Sequence, residues 1–474
     1  MTTGVQKLSF GEKLGYSLSD SAANFMFQVM IMFQLFYYTN ILGISAGAAG
    51  TLLLVARIWD AIFDPFMGII ADKTSTRWGK FRPWLLWTAV PFGIIFYLTF
   101  LTPDVAEGGK LAYAYITYIF MMMIYSANNL PYSALGGVMT GDMVERVSIA
   151  SYRQVAAMAA AFIIQGFFID IVNHFSNGND VHGWRVSIAI FACAAVIFQL
   201  ITFLSTKERI VPKKEQESTL KEAFSDLIHT GPWIAIFLAT LFIFTNLSVR
   251  GGALYFYFSY YLDTDTLQNF LHNFGYAVQP DADATIAKAF GLFNMSGMAF
   301  TIVGILLSKP LAARFGKRNV FILGLSLATF FCGIFGLVDK SSPWLTYLIN
   351  ISQTLSYGIT IPLLWAMFGD VADYSEWKFK RRATGVVFAA VVFALKFGLG
   401  IGGAIGGYIL DFYGYDAAHV TDTAVRGIRL TASLYPAIVF VFGVICLLFY
   451  RIDKKLEFQI QNDLEERRKA AGAV

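Results

Sequence analysis

Apolar segments long enough to cross a lipid bilayer recur along the whole of this 474-residue sequence. A spanning helix needs about 20 apolar residues. Charged residues make up only 14% of the chain, whereas a soluble domain carries roughly 25%. Twelve such segments can be read from the sequence, at residues 15–40, 46–71, 84–102, 112–136, 150–173, 186–205, 232–262, 288–308, 319–338, 344–369, 384–410 and 428–450. The sequence therefore predicts an all-α membrane protein with almost no room for a soluble domain.

Basic residues are concentrated in alternate loops. The turns at 73–82, 309–318 and 378–382 and the middle loop at 206–231 hold most of them, and the opposite loops hold few. By the positive-inside rule, both termini and the middle loop are predicted to be cytoplasmic. The net charge of +4 is spread over these loops, so the sequence gives no indication of a nucleic-acid partner.

The two halves of the chain echo each other. RWGK at 77–80 follows the second span and RFGK at 314–317 follows the eighth, while Gly-Asp pairs at 141–142 and 369–370 follow the fourth and tenth. A repeat in the same direction is typical of transporters whose halves are related by an axis along the membrane normal. Twelve spans with this repeat predict a major facilitator fold, with a solute site at mid-depth between the halves. The predicted parts are a six-helix half at 1–205, a cytoplasmic loop at 206–231, a second six-helix half at 232–450 and a cytoplasmic tail at 451–474.

Three acidic residues, Asp20, Asp60 and Asp64, fall inside apolar helices. A carboxylate at bilayer depth costs several kcal/mol unless something binds it, so such residues are usually functional. Arg57, Asp60 and Asp64 share one helical stripe. Arg57 and Asp60 could form a structural ion pair. Alternatively, the surplus negative charge forms a site for a mobile Na⁺ or proton, since oxygen ligands suit hard cations and close carboxylates raise each other's pKa.

The sequence resembles the melibiose-permease-like family of glycoside–pentoside–hexuronide:cation symporters over essentially its whole length. The residues that carry the resemblance are GTLLLVARIWDAIFDPFMGIIAD followed by RWGKFRPW, SLSDSAANF, NNLPYSAL, SYRQVAA and DVADYSEWKFKRRATG. The resemblance implies cation-coupled sugar transport across the plasma (inner) membrane. It also implies that Asp60 and Asp64 are cation ligands, that Ser126 offers a hydroxyl, and that Lys396 lies near them.

The resemblance further implies a sugar site. Asp20 and Arg153 would bind the sugar, and Tyr125 would line the site. Asn24 and Asn129 belong to the polar set that favours a hydroxylated solute. A carboxylate can accept two sugar hydroxyls. Other roles stay open, because Asp20 could cap a helix start and Arg153 could extend its head group to the membrane surface.

The sequence departs from the melibiose-permease pattern at three positions. Phe63 replaces a polar amide that helps to hold Na⁺, Asn129 replaces an acidic sugar ligand, and Ser133 replaces a tryptophan that stacks on the sugar. The first departure favours H⁺ over Na⁺ as the coupling ion, and the other two disfavour an α-galactoside. The sequence indicates no cofactor, and no metal beyond a possible Na⁺.

Two basic residues fall inside apolar helices of the second half. Lys396, inside VVFALKFGLGIGG, must meet a carboxylate, and Asp60 or Asp64 is the natural candidate. Arg250 precedes two glycines in mid-helix. Its guanidinium could grip the carboxylate of an acidic sugar in bidentate fashion, or it could bind backbone carbonyls where the glycines loosen the helix.

Acidic and basic residues are mixed in the cytoplasmic turns. Arg77, Asp142, Arg146, Asp373 and Arg382 are predicted to form ion pairs that close the inner gate, although the positive-inside bias alone could explain the bases.

The favoured function is a monomeric cation-coupled symporter of a glycoside, pentoside or hexuronide, with an acidic sugar preferred. The alternative is a carrier of a lipid-like or other amphiphilic solute on the same fold. An enzyme is disfavoured because the five histidines fall in or beside loops without catalytic or metal-ligand spacing. A passive pore is disfavoured because packed helices with buried charges suit an occluding carrier.

Overall fold

The computed structural model of the protein describes residues 7–140, 143–209, 230–276, 281–379 and 384–470. Within these ranges the chain forms helices and connecting turns, with no strand beyond an isolated bridge between Thr76 and Gly79. The predicted all-α class is confirmed.

Six long helices precede the middle loop. They are α1 (Phe10–Phe36), which continues into a π-helix (Tyr37–Leu42), α2 (Ala46–Lys73), α3 (Arg82–Thr99), α4 (Glu107–Met139), α5 (Met143–Ser176) and α6 (Asp180–Ser205). Most of the middle loop, residues 210–229, lies outside the described residues.

Further helices follow the middle loop. They are α7 (Gly231–Tyr260), α8 (Thr264–Asn273), α9 (Ala282–Phe315), α10 (Lys317–Ile334), α11 (Pro343–Phe379), α12 (Thr384–Phe412), α13 (Asp422–Thr431), α14 (Leu434–Leu448) and α15 (Lys454–Ala470). The short helix α8 lies between the predicted spans 232–262 and 288–308, in a connection of which residues 277–280 are not described. Helix α15 lies in the predicted tail.

Nine helical stretches in the described part of the chain are long and apolar enough to cross a membrane. The helices α2, α3 and α4 are not among the nine, although they contain 28, 18 and 33 residues. Helix α2 carries Arg57, Asp60 and Asp64 near its middle. A multi-span membrane protein is therefore established, while the count of twelve spans and the cytoplasmic termini stay predictions.

The helices begin where the sequence supplies capping side chains. Ser9 Oγ accepts the N–H of Glu12 at the start of α1, and Ser45 Oγ accepts the N–H of Ala48 at the start of α2. Each cap satisfies an N–H that has no partner within its helix. Gly43, at φ +77°, ends the π-helix in a left-handed conformation that favours glycine.

The packing divides the chain into two compact units. The first contains the described residues within Met1–Lys214, Gly275–Asn294 and Gly407–Ala424, and the second those within Glu215–Phe274, Met295–Gly406 and Val425–Val474. The predicted boundaries of the halves stay a prediction.

The core of the first unit contains a pair of tyrosines from α1 and α4. The rings of Tyr16 and Tyr132 lie 4.7 Å apart. Tyr16 donates its O–H to the carbonyl of Tyr132 over 3.0 Å, and the Tyr132 hydroxyl oxygen lies 3.1 Å from the carbonyl oxygen of Tyr16. Both side chains are buried beside Leu85 and Leu135. These contacts of the two tyrosines fix α4 against α1 beside Asp20, one of the candidate sugar ligands.

The core of the second unit includes the C-terminal tail. Ile460 and Leu464 of α15 are 2% and 4% exposed, and they belong to the same apolar cluster as Ile236, Phe321 and Met367. The amphipathic tail helix thus packs its apolar side into the unit.

Glycines permit α9 and α11 to approach closely within the second unit. A Cβ added at Gly358 would lie 2.3 Å from the backbone carbonyl oxygen of Thr301, and one added at Gly304 would lie 2.3 Å from that of Leu355. Backbone atoms cannot move aside as a flexible side chain can, so these positions exclude larger residues.

We expect Gly358→Ala to destabilise the protein by about 1–3 kcal/mol, because the added methyl forces α9 and α11 apart. Gly369→Ala on the same helix is the matched control, since a Cβ there meets nothing within 4 Å and alanine favours the helix. Thermal unfolding in detergent micelles should show a lower midpoint for Gly358→Ala only. Equal midpoints would contradict the close approach.

Candidate functional site

The carboxylate of Asp60 is fully buried on α2. Its side chain is 0% exposed, and Ser126 of α4 donates its hydroxyl to Asp60 Oδ1 over 2.7 Å. Arg57 Nη1 lies 3.9 Å from Asp60 Oδ2, so the ion pair left open by the sequence is present at the outer limit of such contacts. Asp64 lies one turn further along α2 and is half-buried. The three side chains that are predicted to offer oxygen ligands to the cation therefore lie on α2 and α4.

Phe63 lies between the two carboxylates in the sequence. It is partly buried and packs against the apolar cluster of the first unit. Its ring offers no oxygen to a cation, in keeping with the departure noted in the sequence.

Asp20 and Arg153 form an ion pair between α1 and α5. Arg153 Nε lies 2.5 Å from Asp20 Oδ2, and Nη2 lies 3.3 Å from Oδ1. The side chains are 14% and 30% exposed, respectively. This bidentate geometry is the strong form of a charge-assisted contact, and the remaining exposure leaves both groups partly accessible. The two alternatives for these residues, a helix cap and a surface-directed arginine, do not describe this contact.

Two tyrosines that were not predicted as site residues contact this ion pair. Tyr132 donates its hydroxyl to Asp20 Oδ2 over 2.7 Å. The Arg153 guanidinium carbon lies 4.7 Å from the centre of the Tyr132 ring and 5.8 Å from that of Tyr16, within cation–π range. A signal was present, since Tyr132 lies inside NNLPYSAL, one of the motifs that carry the family resemblance.

Asn24, Tyr125 and Asn129 lie near the same region of the first unit. The Asn24 amide donates to the backbone carbonyl of Asp20 over 2.9 Å. Tyr125 is half-buried on α4, next to Ser126 and one helical turn before Asn129. On the same helix, Ser126 donates to Asp60 and Tyr132 donates to Asp20. Helix α4 therefore contacts the candidate cation site and the candidate sugar site.

Asn128 has a packing role. Its amide donates to Thr88 Oγ1 over 2.8 Å, and its oxygen accepts from Gln199, which also accepts from Ser19. All four side chains are buried. This network ties α1, α3, α4 and α6 together.

Arg250 is buried on α7 in the second unit. Its side chain donates to Gln353 Oε1 over 3.0 Å and to Asn350 Oδ1 over 3.5 Å. The guanidinium carbon lies 4.8 Å from the centre of the Phe335 ring. Among the described residues no carboxylate pairs with Arg250, so amide oxygens and a ring face hold this cation.

Lys396 lies half-buried on α12 in the second unit, beside the stacked rings of Phe393 and Phe397. Its predicted role near Asp60 and Asp64 stays a prediction.

The predicted gating residues that the structure describes differ in their contacts and burial. Arg77 is exposed and stacks on Trp78 at 4.6 Å. Arg146 donates to the carbonyls of Thr140 and Gly137 at the end of α4. Asp373 is half-buried on α11. Asp142 and Arg382 lie outside the described residues.

A carboxylate that sequence reading missed holds the RWGK turn. Glu208, just after α6, accepts the backbone N–H groups of Lys80, Phe81 and Arg82 over 2.8, 2.7 and 2.8 Å. Gly79, at φ +112°, brings the backbone against this carboxylate, where an added Cβ would lie 2.4 Å from Glu208 Cδ. The negative charge also suits the N-terminus of α3.

The next residue extends this contact to α1. Arg209 donates to both carboxylate oxygens of Glu12 over 2.6 and 3.0 Å, and these hydrogen bonds raise the pKa of Arg209. The end of α6 is thereby joined to the start of α1.

The RFGK turn is held in a related way. Lys317 lies 2.6 Å from Asp370 Oδ1 and 2.9 Å from Glu457 Oε1. Glu457 lies in the first turn of α15, which follows α14. Each turn therefore has a carboxylate partner from a later part of the chain, which binds backbone N–H groups in the RWGK turn and a lysine side chain in the RFGK turn.

Comparisons with known proteins agree with the resemblance read from the motifs. Residues 15–278 and 284–454 match the family described as MFS/sugar transport protein. The chain is 34% identical to the inner membrane symporter YicJ of Escherichia coli strain K12, over 96% of this chain and 92% of that protein. It is 33% identical to an isoprimeverose transporter of Lactiplantibacillus pentosus, over 98% and 93% of the two chains.

The fold resembles that of solved transporters. The structure of the nucleoside transporter NupG matches 93% of this chain and 99% of its own with a TM-score of 0.63 at 14% identity. At that identity the likeness concerns the fold alone.

We expect Glu208→Gln to lower the stability of the protein by about 1.5–3 kcal/mol, the usual range for hydrogen bonds to a charged group. An amide has only one oxygen for the three N–H groups, and it directs an NH₂ toward donors. Asp104→Asn, an exposed acid in the same unit, is the control. The thermal unfolding midpoint should fall for Glu208→Gln alone, and an unchanged midpoint would contradict the importance of this contact.

Proposed function

The chain belongs to the family of MFS/sugar transport proteins, and from that premise we propose that it is a symporter that carries a sugar together with a cation. It is a multi-pass protein of the plasma membrane and a transporter rather than an enzyme. The names of the symporter and sugar-transporter relatives support this function.

The pair of Asp20 and Arg153 is the observation that carries the proposal of a sugar site. Each group neutralises the charge of the other through this ion pair. A sugar hydroxyl can donate to the carboxylate and accept from the guanidinium, so the same two groups can bind sugar when the pair opens. The rings of Tyr16 and Tyr132 supply apolar surface beside them. A lipid-like solute would not use this concentration of polar groups.

Asp60, Asp64 and Ser126 supply the oxygen atoms for the coupling ion. Arg57 offsets part of the negative charge at a distance of 3.9 Å from Asp60. A bound cation would complete the neutralisation. We favour H⁺, because Phe63 withholds the additional oxygen that Na⁺ would use and a buried carboxylate can take up a proton directly.

Helix α4 offers a physical route for coupling within the first unit. Ser126 binds Asp60, and Tyr132, less than two turns later, binds Asp20. A shift of α4 on ion binding changes the hydrogen bond to Asp20 and so the strength of its pair with Arg153. Reciprocal linkage then requires the sugar to strengthen ion binding by the same factor.

Arg250 is proposed to favour an acidic sugar. Its amide partners satisfy hydrogen bonds but leave its positive charge without a described counter-ion. The carboxylate of a hexuronide could replace Gln353 and Asn350 as the acceptor. The competing function of Arg250 is structural, since its contacts join α7 to α11.

We expect Asp60→Asn to abolish uphill accumulation of sugar in vesicles while leaving downhill exchange, because the amide cannot take up the coupling charge. Sugar-induced alkalinisation, with Na⁺ uptake measured in parallel, identifies the ion over a panel of pentosides, neutral glycosides and uronates. Asp72→Asn is the control on the same helix, with a side chain 70% exposed. Accumulation that survives Asp60→Asn would remove this residue from coupling.

We expect Arg250→Gln to weaken uptake of uronates by roughly 10- to 100-fold, the equivalent of about 1.5–3 kcal/mol for a hydrogen bond to a charged group. Neutral glycosides should lose much less. Uptake rates over a range of concentrations, with Arg250→Lys as the charge-retaining variant, measure the difference. Equal losses for both sugar classes would assign Arg250 to structure alone.

A further inference from the structure

A cavity of about 650 Å³ lies in the second unit where the tail helix meets the turn between α9 and α10. Its walls include Ala312 and Ala313 at the end of α9, Lys317 at the start of α10, and Lys454, Lys455 and Phe458 in the first turns of α15. Because α9 and α10 are both candidate membrane spans, the turn that joins them lies at a membrane surface. Neither the proposed sugar site nor the proposed cation site uses this cavity.

The cavity carries more positive charge than its own acids neutralise. Lys317 is paired with Asp370 and Glu457. Lys454 donates to the carbonyl of Ala313 over 2.7 Å, and within the described part of the chain neither it nor Lys455 has an acidic partner. Both lysines are exposed.

The two lysines are the first two residues of α15, where the helix dipole favours negative rather than positive charge. Asp453 caps this helix start, and its Oδ1 accepts the N–H of Leu456 over 2.8 Å. The start of α10 is also close, since a Cβ added at Gly316 would lie 3.2 Å from Lys454 Cβ. The lining lysines, rather than either helix end by itself, define the charge of the cavity.

An exposed apolar surface adjoins the charged one. Phe458 is 66% exposed at the cavity, and Leu306 and Ile302 of α9 are 71% and 40% exposed. Ile302, Leu306 and Ala313 are four and seven residues apart, so they follow one face of α9 toward the cavity. A ligand suited to this surface has a negatively charged head and an apolar chain.

We propose that this cavity binds the head group of an anionic phospholipid from the surrounding bilayer. The phosphate contacts Lys454 and Lys455, and one acyl chain follows Leu306 and Ile302 along α9. Basic clusters beside membrane helices attract acidic lipids with about 1 kcal/mol for each lysine or arginine. The bound lipid joins the tail helix to the membrane helices next to the RFGK turn.

The test compares lipid binding by the purified full chain in an uncharged detergent. Phosphatidylglycerol should raise the thermal unfolding midpoint and remain bound in native mass spectrometry, while phosphatidylcholine should do neither. We expect Lys454→Gln/Lys455→Gln to weaken the apparent affinity for phosphatidylglycerol roughly tenfold or more. Raising the salt concentration should weaken it as well.

Matched variants separate a specific site from general attraction. Lys73→Gln/Lys207→Gln removes the same charge from exposed positions of the first unit and should leave the affinity unchanged. Phe458→Ser should weaken lipid binding with the lysines intact. If the double variant at the cavity does not fold, Lys455→Gln carries the test, because the Lys455 side chain makes no hydrogen bond or ion pair with the described residues.

Three results would overturn the proposal. An equal loss in the control double variant would indicate attraction to total charge. Equal stabilisation by inorganic phosphate would indicate a site for a free anion. Equal stabilisation by phosphatidylcholine would indicate that the head-group charge is irrelevant.

Discussion

The need to offset charge inside an apolar medium governs how this protein is built. Asp60, Asp20 and Arg250 each lie in a helix where a lone charge would cost several kcal/mol, and the structure supplies each with different partners. Asp60 accepts a hydrogen bond from the Ser126 hydroxyl and lies 3.9 Å from the Arg57 guanidinium. Asp20 forms a bidentate ion pair with Arg153, and Arg250 donates hydrogen bonds to amide oxygens. These partners differ in how readily an incoming solute or ion can replace them. On that basis we distinguish the proposed coupling site at Asp60 from the proposed sugar site at Asp20.

The sequence was most informative about functional residues that are unusual in a membrane helix. Acids in apolar helices pointed to Asp20 and Asp60, and family motifs linked them with Arg153 and Ser126 before any contact was known. Contacts that depend on ordinary residues escaped it. A buried tyrosine such as Tyr132 looks like core in any helix, and nothing in a single chain says that its hydroxyl reaches Asp20. Glu208 was missed because it lies in a polar loop, and its importance depends on the shape of a turn more than 120 residues earlier.

The fold, like the site, was predicted from the sequence only in part. Helices were predicted from apolar length alone, and several observed helices extend beyond the predicted spans, such as α11, which continues past residue 369 to Phe379. The polar ends of these helices carry no hydrophobic signal. The π-helical end of α1 and the short helices α8 and α13 were not foreseen, since they depend on local packing rather than on hydrophobic length. Helix α2 carries Arg57, Asp60 and Asp64 and is not among the nine candidate spans of the described residues, although the proposed symport depends on its charged residues.

The position of Glu208 in the chain has a consequence for biogenesis. A ribosome that has completed α2 and α3 has not yet made the carboxylate that holds the turn between them, because Glu208 follows α6. The backbone N–H groups of that turn therefore acquire their carboxylate partner only after six helices have been synthesised. Lys317 of the RFGK turn can pair with Asp370 once α11 has been made, but it acquires its second carboxylate, Glu457, only when the start of α15 has been synthesised.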